Sequence, residues 1–235
     1  MKPFLVLVVA GLLATACGTS EPAVDSAPGD AGSSSAPPAA APVAPLPVPV
    51  TGPQPEVVPY SNSSELKVKP TPRYDASIEQ KLKHALQEDL LRMIRVPGKT
   101  SADCPDGITM KASAISHCVV TYEGVEVPYE VKISDNYREG SLVFSYNKVA
   151  MKAVLVDKVV YHQFNERFGT ESARTDLSKL ACEEFPAVKL VEFGENTGLT
   201  CHYWSEYGPD GEPGYVTVNV IMGDRGTRLD FEEVR

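Results

Sequence analysis

The clearest pattern in the chain is a strict alternation. Val125, Val127, Tyr129, Val131 and Ile133 alternate with Glu126, Pro128, Glu130 and Lys132, the period of two that marks a strand with one buried and one wet face. Pro128 on the polar side points to an edge strand or a bulge, and Glu123-Gly124 just before it suits a two-residue hairpin turn. Upstream, Ile78, Leu82, Ala85, Leu86, Leu90 and Met93 fall at helical spacing, with Lys81, Lys83, Gln87 and Glu88 on the other face. Ser77 to Gln80 has the form of a capping box, and Val96-Pro97-Gly98 stops the helix. After a turn over 135–140, Leu142, Phe144 and Tyr146 predict a further strand.

The second half repeats this order. Asp157 is placed to cap a helix whose Val160, Phe164 and Phe168 share one face, with Gly169 as its stop. A short helical piece over 172–180 is predicted before Cys182, then strands around 188–193, 199–204, 215–222 and 228–234. Val216, Val218, Val220 and Met222 alternate with Thr217, Asn219 and Ile221 and echo the 125–133 strand, while Leu229 and Phe231 echo Leu142 and Phe144. A cysteine lies before the first strand and another inside the second in each half. Together these patterns predict an α+β protein of two tandem repeats, 74–151 and 152–235, each a helix or two packed on a roughly four-stranded antiparallel sheet.

The N-terminal third carries no such period. Met1-Lys2 followed by apolar residues 4–13 is too short to span a bilayer and suits a secretory signal, residues 1–16. Leu12, Leu13 and the small residues before Cys17 resemble the bacterial lipobox, in which the cysteine becomes the N-terminus and carries diacylglycerol on its sulfur. The resemblance implies an anchor at Cys17 on the extracytoplasmic face of the cell membrane; the alternative is an ordinary signal peptide cut nearby, leaving a free thiol. Thirteen of the 20 prolines fall between Gly18 and Arg73. Residues 17–73 therefore read as a lipidated cysteine plus a disordered Pro/Ala/Ser-rich tether, spanning roughly 40 Å as a coil.

Five cysteines leave one over if the rest pair, and Cys17 is the natural odd one. In an oxidising compartment Cys104, Cys118, Cys182 and Cys201 should be disulfides, and the repeat selects Cys104–Cys118 and Cys182–Cys201 because each half then closes itself. The competing idea, a metal site using His117 beside Cys118 and His202 beside Cys201, fails on geometry: neighbours in a strand point to opposite faces.

The helix, Cys104-Pro105-Asp106, Cys118, Gly124 and the Tyr129-to-Ile133 strand together resemble an uncharacterised domain-of-unknown-function family of actinobacterial lipoproteins and secreted proteins. That resemblance implies an exported domain with a bonded cysteine pair, and no assigned activity. Cys182-Glu183-Glu184 departs from the motif, so the second half joins through the internal repeat. The helix-plus-sheet plan with one disulfide per repeat also resembles secreted β-lactamase inhibitory proteins in architecture alone.

A net charge of −9 argues against nucleic acid as a partner. No nucleophile elbow, phosphate loop or zinc motif is present, and acid pairs such as Glu183-Glu184 diverge as solvated charge. No catalytic residue, metal or cofactor is expected. The feature that departs from the repeat is residues 203–215, a long Gly/Pro-rich hairpin bearing the single Trp of the chain. Trp204, Tyr207 and Tyr215 either form a binding surface beside an acidic loop or, more simply for Trp204 and Tyr215, fill the sheet–helix core. The expectation is a non-catalytic binding module for an envelope or extracellular protein, held to the membrane by the lipid on Cys17; the alternatives are an inhibitor of a secreted enzyme and a hydrolase without a recognisable motif.

Overall fold

The computed structural model describes residues 44–141, 143–208 and 210–234; the signal segment and Cys17 lie outside them. Helix α1 (Ile78–Ile94) starts at the expected capping box, with the Ser77 side chain accepting from the Gln80 N–H and the Gln80 side chain accepting from the Ser77 N–H. It ends where Arg95 turns left-handed, at φ 65°. Leu82, Leu86, Leu90, Leu91 and Ile94 form its buried stripe, the arrangement that makes a surface helix pay its ordering cost.

That stripe covers a four-stranded antiparallel sheet in the order β2 (Thr100–Asp103), β3 (Ile115–Tyr122), β4 (Val125–Ile133), β5 (Tyr146–Ala150). A short strand, β1 (Val48–Pro49), precedes them in the chain and belongs to another sheet. Glu123 and Gly124 both take positive φ in the β3–β4 turn, the conformation of a tight hairpin. Pro128 lies neither on an edge strand nor at a bulge: β4 is central, and Pro128 sits just beyond the β5 ladder, which runs from Tyr129↔Ala150 to Ile133↔Tyr146. That register also corrects the strand expected from Leu142. Leu142 lies outside the described residues. The β5 ladder begins at Tyr146, with a bond from Ser134 N–H to the Ser145 carbonyl at its mouth, and Phe144, before the strand, packs against Tyr137 and Tyr146.

Strand β6 (Ala153–Val156) is buried at every position and pairs with β8 (Val188–Val191) as a separate ribbon. Helix α2 (Asp157–Phe168) follows at once. Its N-cap is Val156; Asp157 is the first helical residue, its carboxylate accepting from the neighbouring Lys158 N–H rather than capping. Burial pushes the Asp157 carboxyl up. Val160, Phe164 and Phe168 are buried as expected, and Gly169 ends the helix where any Cβ would approach the Asn165 carbonyl to 2.5 Å.

The helix expected over 172–180 is instead largely strand β7 (Leu177–Cys182). It joins β9 (Asn196–Ser205), β10 (Gly214–Met222) and β11 (Leu229–Glu233), and its free edge is covered by β1 (Val48–Pro49), giving the order β1-β7-β9-β10-β11. Backbone pairing on both sides of β7 overrides a weak local helical preference. The tether assigned up to residue 73 therefore ends sooner. Val50, Val57, Val58 and Leu66 are buried, and a 3-10 helix (Tyr60–Leu66) packs against α1. These apolar residues find a surface that the Pro-rich composition does not reveal.

Both expected disulfides are present. Cys104–Cys118 and Cys182–Cys201 have Cα–Cα distances of 4.1 and 3.9 Å; the second links the neighbouring strands β7 and β9, and the first ties the residue just after β2 to β3. On the chain-entropy model, loops of this size are each worth about 3 kcal/mol. The fold thus has two cores, one under α1 and one under α2. Strand β6 serves both: Ala153 and Leu155 face the second core, Val154 and Val156 the first.

Candidate functional site

The aromatics expected at the second hairpin lie on the face of the five-stranded sheet opposite α2. In β9 and β10, Tyr203, Val216, Val218 and Val220 point into the core, so alternation turns His202, Trp204 and Tyr215 outward. Trp204 and Tyr215 are cross-strand partners in edge-to-face contact at 5.1 Å, and Tyr215 stacks on His202 at 4.4 Å. Neither Trp204 nor Tyr215 belongs to the sheet–helix core, which overturns the simpler packing expectation for them.

A bulge in β7 completes the surface. Lys179 and Leu180 together oppose Tyr203; Leu180 enters the core, while Lys179, at φ 49°, places its ammonium 4.5 Å from the Trp204 ring centre. This is a cation–π contact. His202 is 1% exposed, and its Nε2 accepts from the Leu46 N–H at 3.2 Å, where the chain leading into β1 reaches over this face. Burial pulls the His202 pKa down. A neutral ring is what that acceptor role requires.

The loop beyond the aromatics is folded. Gly208 N–H bonds to the Glu212 carbonyl and Gly211 N–H to the Gly208 carbonyl, both at 2.8 Å. A Cβ on Gly208 would meet the Glu212 oxygen at 2.6 Å. Asp210 and Glu212 are exposed at the tip, not joined there by Glu206, which is exposed at the base with Tyr207; Tyr207 is 72% exposed, outside the Trp204–Tyr215 stack. Arg174 holds Asp176 at 2.8 Å beneath the loop and lowers its carboxyl to about 2. Glu206 N–H binds the Asp176 carbonyl, which ties the loop base to the start of β7.

Tertiary structure assembles a second concavity that sequence reasoning missed. A cavity of about 570 Å³ lies between the end of α1, α2 and the β10–β11 turn, with Arg95, Arg167 and Arg228 in its wall together with Glu166, Tyr60 and Phe231. Three segments far apart in sequence supply the arginines, so no local motif could have shown them.

Cys118 and Cys201 are held in disulfides, which removes both thiolates from the metal site weighed with His117 and His202. No protein-family model, curated protein or solved structure matches the chain.

Proposed function

We propose that the protein is a lipid-anchored lipoprotein of the cell envelope, held through Cys17 on the extracytoplasmic face, whose ordered part is a non-catalytic binding module for an envelope or extracellular protein. The observation that carries the binding reading is the outer face of the five-stranded sheet. Trp204 and Tyr215 stand outside both cores on strands braced by a disulfide, with Lys179 over the indole and the exposed Tyr207 in the loop that follows β9. Large aromatics on a rigid support bind at little entropic cost.

The matched order of helix, cysteine-bearing strand pair, alternating strand and final strand supports a duplication. The register refines its equivalences. Cys118 faces Tyr129 as Cys201 faces Val218, so Leu229 and Phe231 correspond to Tyr146 and Lys148, not to Leu142 and Phe144. Residues 152–195 add a ribbon strand, β8, that the first half lacks. A folded acidic hairpin tip also favours a second reading, an inhibitor that inserts this loop into a secreted enzyme.

A photo-crosslinker at Tyr207, compared with one at Glu126 on the outer face of the other sheet, tests the binding reading in intact cells. A partner captured from position 207 alone, and lost in Trp204→Ala, is the expected result; equal capture from both positions refutes it. Cys17→Ser followed by cell fractionation tests the anchor, and a variant that stays membrane-bound and normally processed refutes it.

A further inference from the structure

We propose that the arginine-walled cavity between the two halves binds a phosphate monoester group, a site separate from the aromatic face. The strongest observation is Arg95. It is 6% exposed, yet among the described residues no carboxylate lies within 4.0 Å of its guanidinium. Arginine is almost never so buried without an anionic partner.

The surroundings hold Arg95 in place for a ligand. Its Nε–H donates to the Val58 carbonyl at 2.9 Å, and the Val58 N–H donates back to the Arg95 carbonyl at 2.8 Å. The guanidinium lies 4.1 Å from the centre of the Tyr60 ring. The Tyr60 hydroxyl in turn donates to the Thr227 carbonyl, and Gln163 clamps the same turn by donating to Thr227 and accepting from the Leu229 N–H. Nε is thus used in fixing the side chain, Arg95 lines the cavity, and among the described residues no hydrogen bond occupies its outer nitrogens.

Two further guanidinia share the wall. Arg228 has no carboxylate within 4.0 Å among the described residues, and Arg167 has only a 3.9 Å approach to Asp230. The one carboxylate in the wall, Glu166, is 3.2 Å from the His162 ring. In a chain of net charge −9, this is a local excess of positive charge. Three planar forks match the three terminal oxygens and double charge of a phosphate monoester better than the two oxygens and single charge of a carboxylate. The volume suits a small molecule or a head group.

The test is an NMR titration of the full chain in detergent with inorganic phosphate, glycerol 3-phosphate, dihexanoyl phosphatidic acid and, as a carboxylate control, malonate. Saturable shifts at Tyr60, Arg95, Gln163 and Leu229 with the phosphate probes are expected, weakening below pH about 6 as the dianion takes up a proton. Tighter binding of the phosphatidic acid than of glycerol 3-phosphate assigns the pocket to lipid head groups, and the reverse order to soluble phosphate esters. Arg228→Gln is exposed and should fold normally while binding about tenfold more weakly, whatever becomes of Arg95→Gln. Arg138→Gln, on a distant turn, should bind like the parent. The proposal is overturned if malonate binds as well as phosphate, if Arg228→Gln binds unchanged, or if no phosphate probe saturates these resonances.

Discussion

The two sheets have the same kind of inner face and different outer faces. On β4 the outward positions are Glu126, Pro128, Glu130 and Lys132, flanked by the exposed aliphatic Ile115 and Val149 of β3 and β5, with no aromatic side chain among them. On β9 and β10 they are His202, Trp204, Tyr215 and Thr217, with Leu46 bonded to His202 at one end. Both sheets carry a helix and a cross-strand disulfide on comparable strands. Scaffold and surface are therefore separable: helix, core and disulfide hold each sheet, and the outer face is free to carry an aromatic cluster on one and charged and aliphatic residues on the other. The edges differ as well. Lys148 of β5 forms an ion pair with Asp89 of α1, whereas the β7 edge is closed by a proline-bearing strand that blunts further pairing.

The sharpest test of that separation is whether the two cores unfold independently. Phe164 is 0% exposed and packs against Phe168 and Phe231, so Phe164→Ala should cost about 3–5 kcal/mol. Leu86→Ala in the first core should cost about 2–5 kcal/mol. Because β6 feeds both cores, either change should lower the same single denaturant transition, followed by Trp204 fluorescence and far-UV circular dichroism together. Two separate transitions would show that the halves are independent beads.

Next in size are the disulfides. Cys104→Ala with Cys118→Ala, and Cys182→Ala with Cys201→Ala, should each lose about 3 kcal/mol in urea titrations. A much larger loss for one pair would mean that the two sheets do not rely on their cross-links alike. Non-reducing peptide mapping should show no link between the halves.

A pH dependence separates the outer faces. The folded pKa of His202 lies below its ordinary 6.5 because burial disfavours the charged ring. The unfolded chain then binds the proton more readily, so stability is full above pH 6.5 and falls as pH drops below it. Protonation also removes the acceptor for the Leu46 N–H. Protection from hydrogen exchange at Leu46, Val48 and Val50, relative to the intrinsic rate at each pH, should therefore fall at pH 5.5 before protection in β3 or β4 does, and His202→Gln should abolish the difference.

The smallest effect is expected at the hairpin loop. Replacing Gly208–Gly214 by Asn-Gly should change stability by no more than about 0.5 kcal/mol, since apart from the Gly214–Ser205 pair at the end of β10 the backbone bonds of this segment, among the described residues, are internal to the loop. Crosslinking from the sheet aromatics should persist if the face alone binds, and vanish if the loop is the inserting element of an inhibitor.

Local pattern was enough for much of this molecule. The capping box at Ser77, the helical stripes under α1 and α2, the alternation in β4 and β10 and the pairing of four cysteines were all legible, because each depends on neighbours within a turn, a pleat or one hairpin. Tertiary structure decided the rest. Residues 153–156 are a run too short to declare itself, and they become a strand only because two cores meet there. Residues 44–66 look like spacer until an open sheet edge and the end of α1 give them partners. Trp204 and Tyr215 have the same sequence signature in a core or on a surface, and only the register of β9 turns them outward. Arg95, Arg167 and Arg228 converge from three distant segments, a juxtaposition set by packing at long range, which no local period encodes.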